Sequence, residues 1–79
     1  MEQIFQQMLD KWPAQIVART EVPTFTGGMM TEKYQANLDS AGLGPPGRIR
    51  CGRKIIYNVR SYVEWLAGRS EFVTDRHRE

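Results

Sequence analysis

Residues 48–57 read Arg48-Ile49-Arg50-Cys51-Gly52-Arg53-Lys54-Ile55-Ile56-Tyr57. Polar and apolar residues alternate as far as Cys51, as they do along a half-buried strand. Gly52-Arg53 fits a two-residue hairpin loop with glycine at its first central position. Lys54-Ile55-Ile56-Tyr57 then returns as the second strand. This reading turns Ile49, Cys51, Ile55 and Tyr57 towards a core, and Arg48, Arg50, Arg53 and Lys54 outwards. Cys51 is expected to be a small buried hydrophobe rather than a reactive thiol. From Arg48 to Arg60 the chain carries five basic residues (Arg48, Arg50, Arg53, Lys54, Arg60) and no acid. A basic stretch inside a structured segment suits nucleic acid. A charged edge strand kept soluble by arginine and lysine has the same composition.

Upstream, Gly44-Pro45-Pro46-Gly47 is a connector that can be neither helix nor central strand. Before it, Thr31 is a candidate N-cap for a helix over 32–41, with Glu32 in its first turn. Tyr34, Leu38 and Ala41 recur at i, i+4 and i+7 and are expected on the core. Gly42 is the C′ glycine. Thr20 is a candidate N-cap for a short helix over 21–26 that tolerates Pro23 in its first turn and closes at Gly27-Gly28. Two short helices joined by a glycine-containing turn read as a helix-turn-helix. At the start, Ile4, Phe5, Met8 and Leu9 form one apolar stripe over 2–11, and Pro13 stops that helix. Trp12 is expected to pack it onto the domain. Ile16 and Val17 start a short extended piece. Downstream, Asn58 caps a last helix over 59–68, with Val59, Tyr62, Val63 and Leu66 as its apolar stripe and Trp65 widening it.

Helix, turn, helix, hairpin, helix is the order of a winged helix-turn-helix, mainly α with a small β-hairpin (α+β). One domain spans 1–68 and a flexible tail spans 69–79. The chain of 79 residues is too short for a two-domain enzyme. With 41% hydrophobic and 25% charged residues it is too apolar for a disordered chain. Cys51 stands alone, and His77 is the one histidine, so no zinc cluster and no disulfide within the chain can form. No apolar run approaches the roughly 20 residues of a membrane span. Met1-Glu2-Gln3 does not open like a signal peptide. No nucleophile–base pair and no phosphate loop is present, so the expectation is a cytoplasmic protein that is not an enzyme, with no cofactor, metal or small-molecule substrate.

The run Thr31-Glu32-Lys33-Tyr34-Gln35-Ala36-Asn37-Leu38, then Gly42-x-Gly44-Pro45, the hairpin at 48–57 and Val63-Glu64-Trp65-Leu66 resemble the short phage excisionase and prophage-regulator proteins of the MerR-like winged-helix group. The match covers about residues 20–67, and its most specific part is the Gly-Arg-Lys wing followed by the Trp-Leu helix. Where that family has threonine and then an aliphatic residue, this chain has Tyr34 and Gln35. The resemblance implies binding to double-stranded DNA, with the helix at 32–41 in the major groove and the wing on backbone or minor groove. It implies a role in prophage gene control or in excision, without catalysis.

Candidate contacts follow from that placement. Arg48, Arg50, Arg53 and Lys54 would neutralise phosphates, with Arg53 at the tip able to enter a narrow minor groove. Lys33, Gln35, Ala36 and Asn37 occupy the first turns of the recognition helix, and the Gln35 amide has the geometry that pairs with adenine. Thr31 and the helix start can hold a phosphate. Arg60 either reaches phosphate or stays solvated. Tyr34, Tyr57, Tyr62, Trp65 and Phe25 are expected in the core. Glu32 and Asp39, expected on the solvent face of the same helix, would repel phosphate. They favour the alternative of a protein-interaction module on this fold. The apolar N-terminal helix can pack in cis or provide the seam of a homodimer or cooperative multimer.

Overall fold

The computed structural model describes residues 3–70. Pro13 lacks an N–H to continue a helix, and α1 (Gln3–Lys11) ends before it. The chain then turns through Trp12, whose Nε1 donates to the Ile16 carbonyl at 2.9 Å. The β-branched pair opens β1 (Ile16–Ala18). A 3₁₀ turn, Arg19–Glu21, leads into the one-turn α2 (Val22–Phe25). Thr20 is not its cap: Glu21 holds that position, and its side chain makes no capping bond.

The turn after α2 is closed by Thr26, whose hydroxyl donates to the Val22 carbonyl at 2.9 Å and accepts from Met30 N–H at 3.1 Å. Helix α3 (Glu32–Ser40) starts at Thr31, whose Oγ1 accepts from Tyr34 N–H at 3.0 Å. Gly42 ends it at φ +77°, where Gly42 N–H bonds to the Asp39 carbonyl and Leu43 N–H to the Leu38 carbonyl, the paired bonds of a Schellman motif. Strands β2 (Ile49–Cys51) and β3 (Lys54–Asn58) form the hairpin. Helix α4 (Val59–Gly68) is capped by Asn58, which accepts from Ser61 N–H at 3.0 Å. Arg69 and Ser70, expected in the tail, bond back to the end of α4, Ser70 Oγ donating to the Leu66 carbonyl at 2.7 Å. The rest of the expected tail lies outside the described residues.

The three strands form one antiparallel sheet in the order β1-β3-β2. Val17 pairs with Tyr57, and both are buried beneath the helices. The core joins Phe5 of α1, Val22 and Phe25 of α2, Leu38 of α3, and Val59, Tyr62, Val63 and Leu66 of α4. Tyr62 is its hub, with ring centroids 5.9 Å from Phe25, 5.3 Å from Tyr57 and 5.3 Å from Trp65.

Two expected faces are corrected. In the hairpin, Cys51 pairs with Lys54, Arg50 with Ile55 and Ile49 with Ile56. Directly opposed residues share a face. A two-residue loop therefore puts Ile49 and Cys51 on the face opposite to Ile55 and Tyr57. Ile49 is 60% exposed and Cys51 is exposed, so neither is in the core. In α3, Gln35, Leu38 and Asp39 are the buried residues, so the helix is rotated from the expected stripe. Tyr34 is 46% exposed, and Ala41 lies beyond the helix as its exposed C-cap.

Candidate nucleic-acid interface

The rotation of α3 has a polar cause. Asp39 is buried, and its carboxylate is met from three sides. Arg19 Nη2 donates to Oδ2 at 2.6 Å, the Tyr57 hydroxyl donates to Oδ2 at 2.5 Å, and Gln35 Nε2 donates to Oδ1 at 3.2 Å. Arg19 Nε also donates to the Tyr57 hydroxyl at 3.1 Å, and the Tyr62 hydroxyl donates to Gln35 Oε1 at 2.6 Å. Every buried side-chain nitrogen and oxygen among the described residues has a partner. Such a network is tolerated in a core only when it is fully satisfied. Burial, then the Asp39 hydrogen bond, pushes the Tyr57 phenol up to about 12. Burial opposes the Arg19 charge, but the bonds to Tyr57 and Asp39 outweigh it and raise the Arg19 pKa above its ordinary value.

This network corrects two sequence expectations. Gln35 is fully buried (0% exposed) with both ends of its amide engaged, so it has no free edge for a base. Asp39 faces inwards, not to solvent, and its charge is matched by Arg19. What remains exposed on α3 is Glu32, Lys33, Tyr34, Asn37 and Ser40, with Ala36 half-buried. Lys33 and Asn37 are four apart and so share one face, opposite the buried Gln35–Asp39 side.

The structure brings the tip of the hairpin to the start of α3. Gly52 takes φ +65°, and no residue other than glycine has positive φ among those described. Glycine alone at positive φ in the first loop position matches the type II′ turn that fits strand twist. Arg53 and Lys54, both exposed, line a hollow of about 360 Å³ with Ala18, Arg19, Thr20, Glu32 and Ile55. A second hollow is lined by Arg19, Glu32, Lys33 and Ala36. The two share Arg19 and Glu32, so Arg53 and Lys54 on one side and Lys33 and Ala36 on the other border neighbouring hollows.

Other expected contacts fall elsewhere. Arg48 Nη2 donates to the Asp39 carbonyl at 3.1 Å, near the C-terminal end of α3, where a cation is favoured by the helix dipole. Arg50 is exposed on the edge strand, on the sheet face opposite to Lys54. Arg60 lies 4.0 Å from Glu64 and borders a different hollow with Leu9, Asp10 and Trp12. Asn37 is exposed and lines neither shared hollow. Thr31 caps α3, and its hydroxyl proton remains free to donate because capping uses only the oxygen lone pair. Among the described residues, Lys33, Arg48, Arg50, Arg53 and Lys54 form no ion pair. Sequence reading missed Arg19 and the exposed Tyr34. Neither carries a local signal, since the one is placed by contacts twenty and thirty-eight residues away and the other by the rotation of α3.

Among the described residues, no group of three or more His, Cys, Asp or Glu side chains is placed to hold a metal ion. No helix among them is long and apolar enough to cross a membrane. No protein-family model matches the chain, and no curated protein is significantly similar to it.

Proposed function

We propose that this chain is a cytoplasmic DNA-binding protein of winged helix-turn-helix type, acting as a regulator of a prophage or mobile element or as an excisionase-like accessory factor. The observation that carries this reading is the group Lys33, Arg53 and Lys54, exposed and, among the described residues, in no ion pair, along the two hollows that meet at Arg19 and Glu32 between the hairpin tip and the start of α3. In this reading α3 enters the major groove with Lys33, Ala36 and Asn37 towards the bases. The hairpin lies on the adjacent backbone or minor groove through Arg53 and Lys54, with Arg50 at its edge. Thr31 donates to a phosphate at the helix start. The resemblance of residues 20–67 to the phage excisionase and prophage-regulator proteins supports the same placement.

Each phosphate neutralised releases counterions, so log K falls with log salt by about 0.9 per contact. Fluorescence anisotropy on DNA flanking the chain's own gene and on scrambled DNA, repeated across salt, tests the reading. Four to five contacts give a slope of roughly −4, and preference for the native DNA marks a specific regulator. No binding at low salt rejects it.

A second reading is a protein-interaction module on the same fold. It is favoured by the sheet face away from the helices, where Ala18, Ile56 and Ile49 align across the three strands and Ile16 and Ile49 are exposed. Helix α1 packs in cis through Phe5, Met8 and Leu9, which leaves Ile4 exposed as its apolar residue for a homodimer or multimer seam. Sedimentation across concentration separates a monomer from such an assembly.

A further inference from the structure

The geometry points to Arg19 as a phosphate-binding residue held in a fixed pose by Asp39 and Tyr57, with a backbone phosphate of duplex DNA as its ligand. This rests on the DNA-binding reading and adds to it a residue outside both the wing and α3.

A guanidinium carries five N–H donors in a rigid plane. Two of them are used inside the protein: Nε donates to the Tyr57 hydroxyl and Nη2 to Asp39 Oδ2. Those two bonds come from different elements, β3 and α3, and together they fix the plane of the group. Nη1 has no acceptor among the described residues. Since no buried side-chain nitrogen lacks a partner, Nη1 reaches solvent, and the side chain is 22% exposed. Arg19 lines both the hollow bordered by Arg53 and Lys54 and the hollow bordered by Lys33.

A free surface arginine loses side-chain entropy when it grips an anion. Arg19 has already lost it on folding, so its remaining donors meet a phosphate with little further ordering. Asp39 offsets much of its charge, so its role is directional hydrogen bonding more than long-range attraction. The lysine and arginine side chains around the hollow provide the attraction, and they outnumber the one acid there, Glu32. Asp39 and Tyr57 are positioning residues in this arrangement. Arginine is required for it, because a lysine ammonium cannot bond Tyr57 and Asp39 through one face and a phosphate through another in the same plane.

The test uses the intact chain with ¹⁵N-labelled arginine and a duplex from DNA flanking its own gene. Side-chain N–H signals are followed by NMR as duplex is added at low salt. The expected result is that the Arg19 signals shift together with those of Arg53. Shifts at Arg53 with Arg19 unmoved overturn the inference and leave the DNA-binding reading standing. No shift at any arginine, with no binding by anisotropy, overturns both. In parallel, Arg19→Lys is expected to lower duplex affinity about tenfold at a temperature where circular dichroism shows it folded. Wild-type affinity and salt slope in that folded variant count against the inference.

Discussion

The Tyr62 hydroxyl of α4 donates a 2.6 Å hydrogen bond to Oε1 of Gln35 in α3. That bond ties together two helices that sequence reading had assigned to different tasks, one to reading DNA and one to closing the core. It also removes Gln35 from any contact with a base. Replacing Gln35 by alanine leaves the Tyr62 hydroxyl without an acceptor and Asp39 Oδ1 without a donor in a fully buried site. The expected cost is about 2–4 kcal/mol, seen as a drop in Tm of roughly 10 °C or more for a domain of this size. Duplex affinity measured below the melting transition stays within about twofold of wild type. A large loss of affinity in the folded variant would return Gln35 to the interface.

Gly44 lies against the same carboxylate. A Cβ at this position would overlap Asp39 Oδ1 and crowd its Cγ at 3.0 Å. The neighbour cannot simply yield, because Arg19, Tyr57 and Gln35 all hold it. Gly44→Ala is expected to destabilise the fold by about 1–3 kcal/mol, measured by urea denaturation. The same substitution at Gly68, where the added atom meets open space, is the control and is not expected to destabilise.

The phenols give the fold an alkaline limit. Tyr57 is raised from 10.0 to about 12 by burial and then by its bond to Asp39, and Tyr62 is also raised, by burial first. A group with a raised folded pKa holds its proton more tightly in the native state. Its stabilising contribution is therefore complete below pH 10 and is lost as pH rises through 12. Tyrosinate absorbance and far-ultraviolet circular dichroism followed over pH 9–13 should change together for these two residues. Ionisation of Tyr57 and Tyr62 near pH 10 with the helices intact would contradict the buried network.

Arg53→Ala and Lys54→Ala are each expected to weaken binding to any duplex and to reduce the salt slope by about 1. Arg60→Ala is expected to leave the slope unchanged, since Arg60 borders the hollow beside α1 rather than the one at the hairpin tip. Anisotropy of the three variants against wild type on one duplex decides it. Equal effects for all three would mean that binding follows net charge and not this surface.

Cys51 is exposed beside the hairpin turn. Its thiol is expected to react with a maleimide in the native protein about as fast as in urea. Saturating duplex should slow that reaction severalfold if the hairpin lies on the backbone. Native protection without DNA would restore the sequence expectation that Cys51 is buried.

The local elements were legible because their causes act within a few residues. Thr31 and Asn58 cap helices by bonds to N–H groups three residues on, Pro13 stops α1, Gly42 closes α3, and Gly52-Arg53 turns the hairpin. Even the error in the hairpin faces was local, because a two-residue loop obliges Cys51 and Lys54 to share a face, and the apolar alternation read strand by strand ignored it. The face that α3 buries was another matter. Sorting its side chains by hydrophobicity places Tyr34 and Ala41 on the core and Gln35 and Asp39 towards solvent. The folded chain does the reverse at Gln35, Asp39 and Tyr34, because Arg19, Tyr57 and Tyr62 satisfy the amide and the carboxylate. Those partners stand eighteen to twenty-seven residues away along the chain. A polar side chain is buried at tolerable cost only where its partners converge on it, and that convergence exists only once β3, α4 and the turn after β1 have packed around α3.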